Sequence, residues 1–354
     1  MTFEFHVPQS SAAREAIACF TELQSNFVTG LTRVDPSTLP EEFERVSWLR
    51  NQGDNGGGVR FQRANDAFLN RASLNFSTVH YEADSERALS SASALSCIVH
   101  PSFPLAPSLH THISWTDLKS GKSGWRMMAD LNPSNPIEDH RTLFLNSLKQ
   151  VFQEQEDSVV EHGLSQGDQY FSIPALNRHR GVVHFYLEQW SSGDFDADLK
   201  LARQFGQEVI RCYLQILEDS LQRGNPTEQH QANQLHYHTL YFFQVLTLDR
   251  GTTSGILVHD QNDAGILGSL PGLIDRSLLE TWLEKVPPLQ QTLLQSILDT
   301  LPQQQRIELT LPLRIKLAQT LRQHYRDYPE TQDLLARGFK VPPTVKNHQV
   351  TIDE

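Results

Sequence analysis

Cysteine is scarce. Cys19, Cys97 and Cys212 are the three in 354 residues, and they lie far apart without CxxC spacing. That excludes a disulfide framework and a thiolate zinc site, and makes reduced, buried thiols in a cytoplasmic protein the expectation. Long apolar runs are missing too. Nothing approaches the ~20 residues of a membrane span. The start, MTFEFHVPQSSAAREA, lacks the basic and apolar stretches of a signal peptide. Basic charge is in deficit: 30 Lys and Arg stand against 42 Asp and Glu, a net −12. A surface that tracks nucleic-acid phosphates is therefore not expected. A small anionic substrate remains compatible, because a local arginine cluster can outvote the global field. No GxSxG elbow is present, the glycine-rich NQGDNGGGVR (51–60) lacks the lysine of a phosphate loop, and no solenoid repeat is found.

What is present describes a globular α/β protein. A hydrophobic fraction of 38% allows a sizeable core. Residues 10–31 read as a helix, with Ile17, Phe20, Leu23, Phe27 and Leu31 on one face. The 51–60 stretch reads as a surface loop. From 71 to 132 extended segments dominate, among them SLHTHISW and GWRMMADL; GVVHFYLE follows later. Helices are expected at 138–155 and 196–222. LHYHTLYFFQVLTL (235–248) reads as a long strand, Thr252 to Gly255 as a turn, and ILVHD as a further strand. Helical stripes return after residue 278. Few strands are joined by a single crossover helix, so a largely antiparallel sheet is favoured over a doubly wound parallel one. The expected organisation is a main domain over 1–277, a helical extension over 278–340 and a loose tail over 341–354.

Residues two apart on a strand share a face. That groups His110, His112 and Ser114; Met128, Asp130 and Asn132; and Arg180, Val182, His184, Tyr186 and Glu188. If these strands are neighbours, one side of the sheet gathers histidines, carboxylates and an arginine.

Six segments then appear in order: NFSTVH (75–80), VHPSFPLAPSLHTH (99–112), ADLNP (129–133), YFSIPALNRHRGVVHFYLE (170–188), LDRGTTSGI (248–256) and GILGSLPGL (265–273). Together they resemble the oxygen-dependent coproporphyrinogen III oxidases of haem biosynthesis. The resemblance implies a broad antiparallel sheet with helices on both faces, and a homodimer. It implies two oxidative decarboxylations of propionate to vinyl, with dioxygen as co-substrate and neither metal nor organic cofactor required. The family's active-site histidine falls on His110, its aspartates on Asp130 and Asp249, and its arginines on Arg180 and Arg250. A carboxylate can hold or remove a pyrrole N–H proton, and arginines can clamp substrate carboxylates.

Departures fall on the same face. The family's asparagine is His112, its next arginine is Ser114, and glycines are replaced by Arg126, Met127, Met128 and His184. Arg126 is the candidate replacement for the clamp missing at Ser114. The gained imidazoles suggest an alternative: a site of His110, His112 and His184, with Asp130 or Glu188, holding Fe or Cu in an oxygenase acting on a smaller carboxylated substrate. His236 and His238 join it if their strand is adjacent. A non-catalytic tetrapyrrole binder is a further alternative. His100 is expected to be structural.

Overall fold

A computed structural model of the protein describes residues 3–35, 43–64 and 67–350. Helix α1 (Ser11–Val34) starts where the Ser10 side chain accepts from the Ala13 amide, and its apolar stripe is buried. Strands β1 (Glu44–Leu49), β2 (Gly56–Ala64), β3 (Leu69–His80), β4 (Leu89–Pro101), β5 (Ser108–Leu118) and β6 (Ser123–Asn132) follow as a meander. Helices α2 (Glu138–Val151) and α3 (Asp157–Tyr170) come next. The two-residue strands β7 (Ser172–Ile173) and β8 (Arg178–His179) then lead into β9 (Val183–Trp190), which joins the sheet beside β6. The result is an antiparallel seven-stranded sheet in the order β1-β2-β3-β4-β5-β6-β9. The antiparallel expectation holds.

The sheet has two unlike faces. Leu74 and Phe76, Cys97 and Val99, Met127 and Ala129, and Phe185 and Leu187 point to one side. There they pack against α1, α2 and α4 (Phe195–Leu221). Full burial of each large apolar side chain contributes about 1.5–3 kcal/mol. The alternate residues, largely polar, face a second layer. That layer comprises α5 (Glu228–Thr247), α6 (Arg250–Val258), α7 (Asp263–Ile266), α8 (Arg276–Glu280), α9 (Pro288–Thr300), α10 (Leu311–Asp327) and α11 (Thr344–Asn347). The short strands β10 (Leu273–Asp275) and β11 (Arg306–Glu308) pair within it. Helix α5 shares one apolar core with α9 and α10.

Three expectations need correction. LHYHTLYFFQVLTL is helix α5, not a strand. Thr227 opens it with a capping box, and Tyr237 to Thr247 are buried all round. A helix packed on every side loses the one-face periodicity that identifies helices and imitates a buried strand. Thr252 to Val258 form helix α6 rather than a turn and strand, because the Asp249 side chain caps the Thr252 amide. The glycines of 51–60 continue into β2. A Cβ at Gly58 would come within 2.5 Å of the Phe76 carbonyl and 2.3 Å of the Trp48 indole nitrogen, so the close strand pairing needs glycine. Within the expected tail, the His348 ring stands edge-on to Tyr81 and His259. Residues 351–354 lie outside the described residues.

Candidate active site

The two layers enclose a cavity of about 800 Å³. Its floor is the polar face of the sheet; its roof comes from α5, α6, the 262–269 turns and the tail at 342–348. Strand register assembles the floor. His110 pairs with Asp130 and Asp130 with His184; His112 pairs with Met128 and Met128 with Tyr186; Ser114 pairs with Arg126. The three strand faces grouped from sequence therefore do converge.

At the centre lies a buried ionic unit. Arg180 Nη2 donates to Asp130 Oδ2 at 2.6 Å, and both side chains are 0% exposed. Arg180 Nη1 donates to Gln244 Oε1 at 2.7 Å, and the guanidinium stacks between the Phe171 and Tyr241 rings at 4.3 and 5.0 Å. His110 Nδ1 stands 2.9 Å from Arg180 Nη2 and 3.1 Å from Asp130 Oδ1. A guanidinium only donates, so Nδ1 either accepts from Arg180 or, when protonated, donates to Asp130. Burial favours the neutral acid, but the Arg180 charge and His110 outweigh it and hold Asp130 well below the usual carboxylate range. Burial likewise opposes the Arg180 charge, and Asp130 more than restores it.

Only part of the predicted set reaches the cavity. His110, His112, Ser114, Arg126, Asp249, Arg180 and Arg250 line it. Asp130 lies beneath them, fully buried against His110 and Arg180. Arg180, expected to hold substrate, is paired with Asp130 and stands against His110 Nδ1. Arg250, expected to be catalytic, aims its guanidinium away. It donates to the carbonyls of Gln332, Leu335 and Ala336 at 3.2–3.4 Å and so ties the C-terminal segment down. Asp249 stays in the cavity wall. Its Oδ1 accepts from the Tyr170 hydroxyl at 3.1 Å and its Oδ2 from the Thr252 amide at 2.7 Å.

Arg126 pairs with Glu188 at 2.7 Å and remains 22% exposed to the cavity, while Glu188 is 3% exposed. Burial works against its charge, but Glu188 raises the Arg126 pKa above the ordinary value. The Tyr186 hydroxyl also donates to Glu188. Met128 narrows the floor and packs on Tyr170, Phe171 and Tyr186.

The metal trio does not assemble. His184 Nδ1 bonds Asp168 at 2.8 Å and its Nε2 accepts from the Gly181 amide, so its ring is turned to α3 and the β8–β9 turn. His236 and His238 stand on helix α5, where His238 packs edge-on against His100. Among the described residues, no three His, Cys, Asp or Glu side chains are grouped closely enough to hold a metal ion. His112 does face the cavity, and its Nε2 has no hydrogen-bond partner. Burial, then Arg126 and His110, hold its pKa well below the ordinary histidine value. His100 is structural, as expected: it bonds Ser108 and the Ser269 carbonyl.

Sequence reasoning missed Tyr170, Gln244 and Asp168. Gln244 was hidden in the segment read as a strand, and Asp168 and Tyr170 lie on α3, which the sequence pattern does not announce. Also missed was the roof from Pro342, Thr344, Asn347 and His348.

Comparison with known proteins identifies relatives of the chain. The family model for coproporphyrinogen III oxidase matches residues 15–285. Oxygen-dependent coproporphyrinogen-III oxidases of Rickettsia akari (strain Hartford) and Rickettsia felis are 27% and 28% identical to this chain over 242 residues, covering 66% of it and 84% of each relative. Among the described residues, no helix is long and apolar enough to cross a membrane. With most of its sheet, the cavity floor and the Asp249 cap all inside the matched region, the chain belongs to the coproporphyrinogen III oxidase family.

Proposed function

We propose that the cavity binds a porphyrinogen and that the protein converts its propionate groups to vinyls with dioxygen. The observation that carries this is the pairing of one roomy cavity with two unlike charged walls: Arg126, open to it beside Ser114, and the Asp249 carboxylate across the roof. Arg126 supplies the carboxylate clamp that Ser114 does not. Because Glu188 already holds two of its donors, a substrate carboxylate takes the donors that remain. Asp249 keeps lone pairs free after accepting from Tyr170 and Thr252. It accepts a pyrrole N–H and draws off that proton, which leaves an electron-rich ring able to react with oxygen. His110, fixed at Nδ1 by the Asp130–Arg180 unit, turns Nε2 to the cavity as a proton carrier.

Atom balance dictates the co-product. Each propionate loses carbon dioxide, one proton and two electrons as –CH₂–CH₂–COO⁻ becomes –CH=CH₂. Dioxygen takes up those two electrons and two protons as hydrogen peroxide. The test is to mix anaerobic protein and coproporphyrinogen III with air-saturated buffer, following vinyl product and peroxide. One peroxide per vinyl supports the reading; peroxide without vinyl, or neither, refutes it. A homodimer is part of the same proposal, tested by light scattering.

A further inference from the structure

Six arginines of the described chain are buried: Arg60, Arg71, Arg180, Arg276, Arg314 and Arg322. Three have a carboxylate partner, namely Arg180 with Asp130, Arg276 with Glu280 and Arg322 with Asp263. The other three are Arg60 on β2, Arg71 on β3 and Arg314 on α10. They are 4, 8 and 7% exposed, and among the described residues none has an ion pair.

These three converge on the 265–270 turn. Arg71 Nε donates to the Leu270 carbonyl at 3.2 Å, and Arg314 Nη1 points to the Leu267 carbonyl at 3.5 Å. Arg60 Nη1 stands 2.3 Å from where a Gly265 Cβ would be, so the guanidinium lies directly against the turn backbone. Arg60 Nη1 and Arg314 Nε are buried without any hydrogen-bond partner. Burial first, then the Arg314 charge, lowers both Arg60 and Arg71, the latter to about 10. Glu44 and Glu308 act on Arg60 and Arg71 more weakly than burial and Arg314 do. Each guanidinium donates to a neutral acceptor, Arg60 Nε to Gln62 Oε1 at 2.9 Å, yet among the described residues none has a counter-charge in contact, and three buried charges gathered so are costly.

We infer that Arg60, Arg71 and Arg314 form a binding site for a divalent oxyanion of the phosphate type, behind the cavity wall and between the sheet and the C-terminal helices. One negative charge leaves two of the three guanidiniums uncompensated, whereas a tetrahedral dianion offers four oxygens to their unfilled donors. Gly265, Ile266 and Ser269 line the main cavity on the other side of the same turn. An occupied site therefore braces that wall and pins α10 to β2 and β3. The family model matches residues 15–285, so Arg314 comes from the part of the chain beyond the match. The inference does not rest on the proposed reaction, and its test involves no turnover.

The test is thermal unfolding of the full chain in inorganic phosphate, sulfate or acetate at constant ionic strength, with equilibrium dialysis of labelled phosphate. Expected are a saturable rise in Tm with phosphate and sulfate but not acetate, and about one phosphate bound per chain. Arg314→Gln and Arg60→Gln each remove the saturable part; Arg211→Gln, at an exposed site on α4, keeps it. General salting-out raises every variant alike, so the difference between variants reads the site. If Arg314→Gln fails to fold, Arg60→Gln and the dialysis stoichiometry decide. A rise that never saturates, or one unchanged in the folded variants, overturns the site. A saturable response to acetate equal to that of phosphate overturns its divalent character.

Discussion

Arg180 and Asp130 meet at 2.6 Å in a place where neither side chain touches solvent. Such a pair is weak evidence of net stability, but breaking it is costly because the surviving charge stays buried. Asp130→Leu is expected to destabilise the protein by about 3–5 kcal/mol in urea unfolding. Arg180→Met on top of it is expected to restore most of that loss. A double variant as unstable as the single one would show that the pair is not the principal contribution here.

The clamp role of Arg126 is separable from its charge. Arg126→Lys keeps the charge but loses the two-pronged geometry. KM for a tetracarboxylate porphyrinogen is expected to rise roughly 10- to 100-fold with kcat little changed, since a charged hydrogen bond is worth about 1.5–3 kcal/mol. Steady-state kinetics in which kcat falls and KM holds would contradict the clamp.

Acid should weaken the fold through its buried imidazoles. Burial lowers His238 from its ordinary 6.5 to about 3, and burial with Arg50 and Arg87 does the same to His348. The unfolded chain then binds protons before the folded one. Stability from these groups is fully present above about pH 6.5 and is lost as pH falls from there toward about 3. Each such histidine adds a slope of up to about 1.4 kcal/mol per pH unit. Unfolding free energy measured across that window should fall less steeply in His238→Leu than in wild type. Equal slopes would show that His238 titrates normally.

Arg250 is expected to matter for the roof. Its guanidinium reaches three carbonyls between Gln332 and Ala336. Arg250→Ala removes bonds worth roughly 1–3 kcal/mol locally. Hydrogen exchange over 329–348 should quicken while the sheet core stays protected. Unchanged exchange there would mean that the segment is held by its other contacts.

The sheet and its converging faces were legible in the sequence because two-residue alternation is strong in β5, β6 and β9. Helices α1 and α4 were legible from their one-sided stripes. Helix α5 was not, since burial on every side erases periodicity. The six motifs marked Asp249 and Arg250 as a pair, yet adjacent residues at a helix start point different ways: one caps the helix in the cavity wall, the other reaches the extension. The sequence grouped His184 with His110 correctly by register. It gave no sign that Asp168, on the unannounced helix α3, turns the imidazole aside. The cavity roof from 342–348 was illegible because polar tail residues carry no pattern.

The most direct test of the account compares Asp249→Asn with wild type on coproporphyrinogen III, with the reaction started by air. Asparagine caps a helix nearly as well as aspartate, so α6 and the overall stability should survive. The carboxylate needed to accept the pyrrole proton does not. Wild-type protein is expected to form vinyl product, with a fall of about 100-fold or more in the variant. No turnover by folded wild-type protein, or undiminished turnover in Asp249→Asn, would contradict the account.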